Sequence, residues 1–416
     1  MRRGSIALAA ACAALLLAAL VAGPAQAANA CAQMKSYLAQ GSGSGGGLLV
    51  VDAESGDVAC SSAASTPRPL ASNMKLFTTS AALAKIGPET RIPTKVFESG
   101  TVDADGVLHG NLYLQGGGDP ALGTPGFYNG YLAGLGTNIF ALTPQIKAAG
   151  ITSVTGRLYA DASIFDALKG VRDSGYATSP YIGPLSGLAF NSGFAGQTSS
   201  SGFSADPAKL AAAKLVRNLR GAGIDLPTQI ALGATPVDAK RVAIVQSPPL
   251  TTIVNTTDVY SDNFFAEMLI KLLGARFGGA GTTAAGAGVV AAFARSLGSG
   301  VHAVDGSGLT RSNRASPQQV VDLLLAMRNQ PSGEQFFEDL AVAGREGTVD
   351  DRMHGTPADG NCHVKTGTLT GVSNLSGLCD NPSGRTMVFS ILMGSVPSTT
   401  QAHIDQDRIA ALVASY

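Results

Sequence analysis

Ser72 and Lys75, three residues apart, are the first side chains in the sequence that could work together chemically. On a helix this spacing puts both on one face, within reach of each other. A serine hydroxyl needs a base to become a nucleophile, and a lysine can serve when burial and a neighbouring cation lower its pKa. Pro67 and Pro69 place Ser72 near the helix start, where backbone N–H groups favour an oxyanion. The pair predicts nucleophilic catalysis; the alternative is a surface Ser and Lys on an amphipathic helix.

Two further segments carry polar side chains suited to the same site. Ser261 and Asn263 lie at the predicted start of a helix, where serine and asparagine are also ordinary caps. Lys365 and Gly367 belong to a Lys-Thr-Gly triplet on a predicted strand. There the lysine could bind a carboxylate and the glycine leaves the strand edge open to substrate; the alternative is a plain strand-to-turn segment. Chance gives about 0.1 such triplets in a chain of this composition, so the order of the three motifs favours one catalytic site.

Elements from both ends of the chain must position these motifs. The sequence predicts a hairpin at 48–60, a helix at 72–86, short β-like runs from 91 to about 241 with helices near 143–149 and 207–219, helices at 263–277 and 286–297, strands at 364–369, 373–379 and 386–393, and a closing helix at 401–415. We therefore expect an α/β fold in which residues 28–90 and 244–416 form one domain. Residues 91–243 are expected to form an insert of one or two small domains.

Composition restricts the class of protein. The 416 residues include 29 basic and 29 acidic side chains; 45% are hydrophobic and 14% charged. This apolar content excludes intrinsic disorder and predicts a globular chain of two or three structural units. No basic surplus exists to neutralise phosphates, so we expect no nucleic-acid partner.

The N-terminus predicts export. Residues 1–27 have the pattern of a signal peptide: Arg2 and Arg3, an apolar run at 6–21, and an Ala-x-Ala cleavage site at 25–27. The alternative is a membrane anchor, for which the apolar run is short. Because no later stretch of about 18 apolar residues occurs, we expect no transmembrane segment in the mature chain. The predicted location is the periplasm or the extracellular, cell-wall space.

Export changes how the cysteines are interpreted. Cys12 leaves with the signal peptide, and four cysteines remain, an even number in an oxidising compartment. Of the three pairings they allow, we favour Cys31–Cys60 and Cys362–Cys379, because each pair brackets one local unit; the alternative is four free, buried thiols. No metal is expected, because the five histidines show no ligand spacing.

The three motifs in this order resemble the penicillin-binding protein and serine β-lactamase superfamily. Segments 116–120, 184–186, 305–309 and 365–374, and the 185 residues between Lys75 and Ser261, are similar to the D-alanyl-D-alanine carboxypeptidases of the penicillin-binding protein 4 type, the S13 peptidases. The resemblance covers essentially the whole chain after residue 27. It implies a transpeptidase-like domain, an antiparallel sheet flanked by helices, with a β-rich insert.

The resemblance also implies a mechanism. Ser72 would attack the carbonyl between two terminal D-alanines of a peptidoglycan stem peptide, with Lys75 taking its proton and water later releasing the acyl group. Ser261 would relay a proton to the leaving group, Asn263 would hold the Lys75 amine and the substrate amide, and Lys365 would add positive charge beside Ser261. β-Lactam antibiotics would be covalent inhibitors. If the enzyme attacked the peptide bond of a cross-link instead, the same chemistry would make it an endopeptidase. The resemblance implies no cofactor.

Substrate recognition is implied for a second set of residues. Thr366 and Thr368, on either side of Gly367, would bind the terminal carboxylate, and the backbone N–H groups of Ser72 and Thr368 would form the oxyanion hole. For the stem-peptide side chain, three residues in segments similar to the family's are candidates: Asp161, Phe165 and Arg311. Their alternatives are a strand-end turn residue, a core residue and a surface charge, respectively.

Two other functions remain open from the sequence. A β-lactamase or esterase could use the same fold, but the Glu-x-x-Leu-Asn segment that some β-lactamases use to activate water is absent. A catalytically inactive wall-binding protein is the other alternative. The presence of all the expected polar groups argues against it.

Overall fold

The computed structural model describes residues 24–416, so the predicted signal peptide lies largely outside the described residues. Within this range the chain forms eleven α-helices: α1 (Pro24–Ser42), α2 (Met74–Ile86), α3 (Pro125–Tyr131), α4 (Leu142–Ala148), α5 (Pro207–Gly221), α6 (Leu250–Val259), α7 (Asn263–Phe277), α8 (Thr283–Ser296), α9 (Pro317–Arg328), α10 (Gly333–Glu338) and α11 (Thr399–Ala414). None of the helices in residues 24–416 combines the length and apolar character needed to cross a membrane.

The strands divide into two large sheets and two short ladders. Over the same described range they are β1 (Gly46–Asp52), β2 (Val58–Ser62), β3 (Arg68–Pro69), β4 (Pro93–Val102), β5 (Val107–Gln115), β6 (Leu122–Gly123), β7 (Thr137–Asn138), β8 (Ser153–Val154), β9 (Leu158–Asp161), β10 (Ile230–Leu232), β11 (Lys240–Gln246), β12 (Arg314–Ala315), β13 (Ala341–Val342), β14 (Cys362–Leu369), β15 (Val372–Asp380) and β16 (Thr386–Gly394).

The first sheet is antiparallel and is built from both ends of the chain. Its strand order is β13-β14-β15-β16-β1-β2, so the N-terminal hairpin pairs with the last strand. α1 and α11 pack on one face, while α2 and α9 belong to the core on the other. Because both faces are covered, β1 and β15 are buried along almost their whole length and carry apolar side chains on both sides.

The second sheet lies within the predicted insert. Its order is β10-β9-β5-β4-β11, with antiparallel pairs around β4 and parallel pairs around β9. α4 and α5 contribute Ile146 and Leu215 to the core beneath it. β11 extends to Gln246, three residues past the predicted border at 243. The division of the chain into domains stays a prediction.

Both predicted disulfide pairings are present. Cys31 of α1 bonds to Cys60 of β2, and Cys362 and Cys379 lie directly opposite each other on β14 and β15. The second bond therefore joins the two strands of the hairpin that carries the Lys-Thr-Gly triplet.

Several helical segments differ from the sequence prediction, among them α1, α3, α9 and α10, which were not predicted. The predicted helix at 72–86 begins as a 3₁₀ turn, Ala71–Asn73, followed by α2. α6 was not predicted, because its Thr-, Ile- and Val-rich sequence has low helix propensity. Its buried packing against α2 and α7 decides the conformation instead.

Candidate active site

Ser72 lies in a strained turn held by the first sheet. It is the middle residue of the 3₁₀ turn Ala71–Asn73, and Ala71 has a left-handed φ of 44°. Asn374 of β15 donates a hydrogen bond to the Leu70 carbonyl oxygen at 2.7 Å. The sheet thus fixes the backbone just before Ser72 and leaves its hydroxyl at the start of α2.

Lys75 is completely buried, and its amine has three polar partners. Its Nζ lies 3.1 Å from Ser72 Oγ, 2.7 Å from Asn263 Oδ1 and 2.9 Å from the Ser307 carbonyl oxygen. The two side chains three residues apart on the chain therefore meet, and two other parts of the chain hold the amine beside the hydroxyl.

Burial controls the charge of this amine. Removal from water lowers the pKa of Lys75 to about 8, against the opposing charges of four acidic residues: Asp262, Asp258, Glu267 and Asp305. Burial, together with the charge of Lys75, also lowers the pKa of Lys365. Two buried lysines in one site disfavour each other's protonation, so an uncharged amine is accessible near neutral pH.

The second motif places Asn263 by using a different residue as the helix cap. Asp262 caps α7 by accepting a hydrogen bond from the Phe265 N–H at 2.9 Å. Asn263 is thereby free to contact Lys75 through Oδ1, and its Nδ2 donates to the Tyr181 carbonyl oxygen at 3.1 Å. Ser261 has a left-handed φ of 58°, a second strained position beside the cleft.

The third motif lies on β14, against the turn of Ser72. Asn73 Nδ2 donates to the Lys365 carbonyl oxygen at 2.8 Å, which ties the strand to the turn. The Lys365 ammonium is buried and donates to the Thr366 carbonyl oxygen at 3.1 Å. The Thr366 hydroxyl donates to the Thr348 hydroxyl at 2.8 Å.

Gly367 permits this close approach. A Cβ atom there would lie 3.0 Å from the Leu70 carbonyl oxygen and 3.1 Å from the Ser72 nitrogen. The missing side chain therefore lets the strand contact the backbone of the turn that carries Ser72, in addition to leaving the strand edge open.

One cleft of about 930 Å³ brings most of the predicted site residues together. Its lining includes Ser72, Ser261, Asn263, Arg311, Thr366, Gly367 and Thr368. The Arg311 guanidinium donates to the carbonyl oxygen of Thr370, the residue after β14. Lys75 and Lys365 are buried and contact this lining, through Ser72 and Thr366 respectively.

Asp161 and Phe165 lie elsewhere, around a cavity of about 380 Å³ whose lining shares no residue with the cleft. The Asp161 carboxylate accepts hydrogen bonds from the Thr235 N–H at 2.8 Å and from the Ser163 N–H at 3.0 Å. Phe165 is only 6% exposed and packs into the core. The structure does not bring these two side chains to Ser72.

Two residues that shape the site had no role assigned from the sequence, although Ser307 belongs to segment 305–309, which resembles the family. Ser307 contributes a backbone carbonyl, which no side-chain pattern reveals. Glu267 holds the backbone around Ser307 and lies four residues after Asn263 on α7. That spacing puts both side chains on one helix face and is the signal that could have identified Glu267.

Comparison with known proteins gives a consistent result. The family model described as D-Ala-D-Ala carboxypeptidase 3 (S13) family matches residues 30–201 and 195–415. A D-alanyl-D-alanine carboxypeptidase of Actinomadura sp. (strain R39) is 29% identical over 451 residues, covering 89% of this chain and 81% of that protein. Carboxypeptidase DacB of Mycolicibacterium smegmatis is 27% identical over 370 residues, covering 86% and 78%.

A solved structure supports the fold. The crystal structure of penicillin binding protein 4 from Haemophilus influenzae matches with a TM-score of 0.78 at 21% identity, covering 92% of this chain and 99% of that one. At this identity the likeness concerns the fold alone. It confirms the predicted fold class, an antiparallel sheet flanked by helices.

Proposed function

The chain belongs to the D-Ala-D-Ala carboxypeptidase 3 (S13) family of serine peptidases, and from this premise we propose that Ser72 is its acylated nucleophile and Lys75 the base. This membership confirms the family that the three motifs, the further similar segments and the long insert predicted. The proposed substrate is the D-Ala-D-Ala end of a peptidoglycan stem peptide, and β-lactams are the proposed covalent inhibitors.

The observation that carries the proposal is the set of three partners around the Lys75 amine. An uncharged amine has two N–H groups and one lone pair. The Asn263 and Ser307 oxygens, at 2.7 and 2.9 Å, can accept the two N–H groups, and the lone pair then faces the Ser72 hydroxyl at 3.1 Å. This is the arrangement needed to remove the Ser72 proton during attack.

The reaction then proceeds in two steps. Ser72 Oγ bonds to the carbonyl carbon of the penultimate D-alanine as its proton passes to Lys75, and the oxyanion is held by the backbone N–H groups of Ser72 and Thr368. The C–N bond breaks as the leaving amine takes a proton relayed through Ser261, which releases D-alanine. Water hydrolyses the acyl-enzyme. Lys365 supplies positive charge beside Ser261.

The remaining cleft residues are assigned to binding. Thr366 and Thr368 bind the terminal carboxylate, and Arg311 is the remaining candidate in this cleft for the stem-peptide side chain. Export to the periplasm or cell-wall space, after removal of residues 1–27, places the enzyme with its polymeric substrate. Two disulfides support an oxidising compartment.

Two measurements test the proposal. The first is the release of D-alanine from diacetyl-L-Lys-D-Ala-D-Ala, and the second is the mass of the intact protein after incubation with benzylpenicillin. We expect D-alanine release and a stable adduct of one penicillin per chain. Rapid hydrolysis of the penicillin with no adduct would support the β-lactamase alternative. If no D-alanine is released, no penicillin is hydrolysed and no adduct forms, the result would support the wall-binding alternative. A cross-linked dimer of stem peptides tests the endopeptidase reaction.

Gly367→Ala is expected to slow acylation by benzylpenicillin about tenfold, because the added methyl group displaces the backbone of Ser72 by a fraction of an ångström. The second-order rate constant of acylation measures the effect. Gly288→Ala is the matched control: it lies in α8, and a Cβ there meets nothing within 4 Å. Equal rates for the two variants would contradict the role of close strand approach.

A further inference from the structure

Glu267 is a buried acid that the mechanism above does not use. It is fully buried on α7, one helical turn after Asn263. Its Oε1 accepts hydrogen bonds from the Gly306 N–H at 3.0 Å and from the Ser307 N–H at 2.8 Å. One oxygen thus holds two consecutive backbone N–H groups of the loop behind the nucleophile.

The same loop supplies the third partner of the catalytic amine. The Ser307 carbonyl oxygen accepts from Lys75 Nζ at 2.9 Å. Asp305 accepts from the Gly308 N–H at 2.8 Å, and the Thr78 hydroxyl donates to the Gly306 carbonyl oxygen at 2.9 Å. The loop is therefore fixed on both sides of Ser307, and Glu267 is the side chain that accepts a hydrogen bond from the N–H of Ser307 itself.

We propose that Glu267 is a positioning residue for acylation: it holds the Ser307 carbonyl against the Lys75 amine, so that the lone pair of the amine points at Ser72. The inference rests on the proposed function. One face of α7 then fixes the base twice, directly through Asn263 and indirectly through Glu267 and Ser307.

The charge state of Glu267 fits an acceptor of backbone hydrogen bonds. Its second oxygen, Oε2, is buried with no hydrogen-bond partner in residues 24–416. Burial and the neighbouring Asp305 raise the pKa of Glu267 to about 8. Burial therefore disfavours the carboxylate form, and Oε1 can accept the two backbone N–H groups in either protonation state. A glutamine, with a carbonyl oxygen at the Oε1 position, should perform the same task.

The experiment compares Glu267→Gln with Glu267→Leu. The rate constant for acylation by benzylpenicillin is measured from pH 6 to 10, with unfolding in urea as the measure of stability. We expect Glu267→Gln to stay within about threefold of wild type at pH 7. Glu267→Leu should fall about 100-fold, because the amine loses its fixed direction.

The pH profile separates positioning from simple destabilisation. Without the Ser307 acceptor the Lys75 ammonium is less stabilised, so in Glu267→Leu the rise of the profile should move to lower pH. The groups that set the profile are Lys75 itself, Lys365 and four acids: Asp258, Asp262, Glu267 and Asp305. Glu267→Gln loses the acid's negative charge but keeps the Ser307 acceptor in place, so its midpoint should move less than that of Glu267→Leu.

Asp119→Asn is the matched control. Asp119 is another buried carboxyl, which accepts from the Ala121 N–H at 2.8 Å and the Thr137 hydroxyl at 2.6 Å, and it does not line the cleft. It should lose stability without a change in acylation rate or pH profile. If Glu267→Leu does not fold, Glu267→Asp, one methylene shorter, replaces it and should also lose rate.

The outcomes are distinct. If benzylpenicillin acylates the wild type, and Glu267→Leu or Glu267→Asp is acylated at the wild-type rate, this inference alone is overturned. A folded Glu267→Gln as slow as Glu267→Leu also overturns it, since the acceptor oxygen is retained. A wild type that benzylpenicillin does not acylate overturns the proposed function and this inference with it.

Discussion

Replacing Ser72 by alanine is expected to abolish the covalent adduct that benzylpenicillin forms with the wild-type chain. The hydroxyl is the only group lost, and the lysine, the asparagine and the cleft remain in place. In the proposed mechanism the adduct is an ester of Ser72 Oγ, and the other side chain that contacts the Lys75 amine, Asn263, is an amide with no nucleophilic hydroxyl. We expect release of D-alanine to fall by at least about 10³-fold. Intact-protein mass and a D-alanine assay measure the two effects.

Ser80→Ala is the matched control for this prediction. Ser80 is a buried serine of α2, and its hydroxyl donates to the Phe77 carbonyl oxygen at 3.2 Å, away from the cleft. It should form the adduct at the wild-type rate. If Ser72→Ala gains the same mass from benzylpenicillin at the same rate as the wild type, another residue is the nucleophile.

The elements that carry the motifs were largely predictable. α7 has the predicted bounds, and β14, β15 and β16 lie within two residues of the predicted strands. These segments combine long apolar runs with clear turn residues between them, so local patterning and tertiary packing agree. α9 had a signal that was not used: Ser316 and Gln319 form a capping box, and Pro317 occupies the first helical position.

The strain at the site was not predictable. Ala71 and Ser261 have left-handed backbones although neither is glycine, so their sequence gives no indication of it. Such conformations cost on the order of 1–3 kcal/mol each and persist where the surroundings over-determine them. At Ala71 the surrounding constraint is visible: Gly308 approaches so closely that a Cβ atom there would lie 1.8 Å from the Ala71 carbonyl oxygen.

Contacts made by backbone atoms were the other feature of the site that the sequence did not predict. Side-chain motifs predicted that Ser72, Lys75 and Asn263 meet, but the Ser307 carbonyl became visible only in three dimensions. Asp161 illustrates the converse. The resemblance made Asp161 a candidate for binding the stem-peptide side chain, with a strand-end turn residue as the alternative. In the structure its carboxylate accepts hydrogen bonds from Thr235 and Ser163. The type of a residue does not show whether neighbouring groups of the same chain already form hydrogen bonds with its side chain.

The proposed role of Lys75 as the base leads to the second large prediction. Only the uncharged amine has a lone pair for the Ser72 proton, and burial lowers the pKa of Lys75 to about 8. The acylation rate of the wild type should therefore rise with pH between 6 and about 8. Lys75→Met keeps much of the buried chain and removes the amine. We expect it to slow acylation by about 10²–10⁴-fold, the range typical of a general base.

The shape of the pH profile carries more information than the loss of rate. A variant that was slow only because its core is disturbed would keep the rise with pH, whereas loss of the base removes the rise itself. Lys85→Met is the control on the same helix: its ammonium lies over the Phe277 ring, outside the cleft, and its profile should match wild type. A rise retained in Lys75→Met would assign the titrating base to another group, and Lys365, whose pKa is also lowered by burial, would then be the residue to replace.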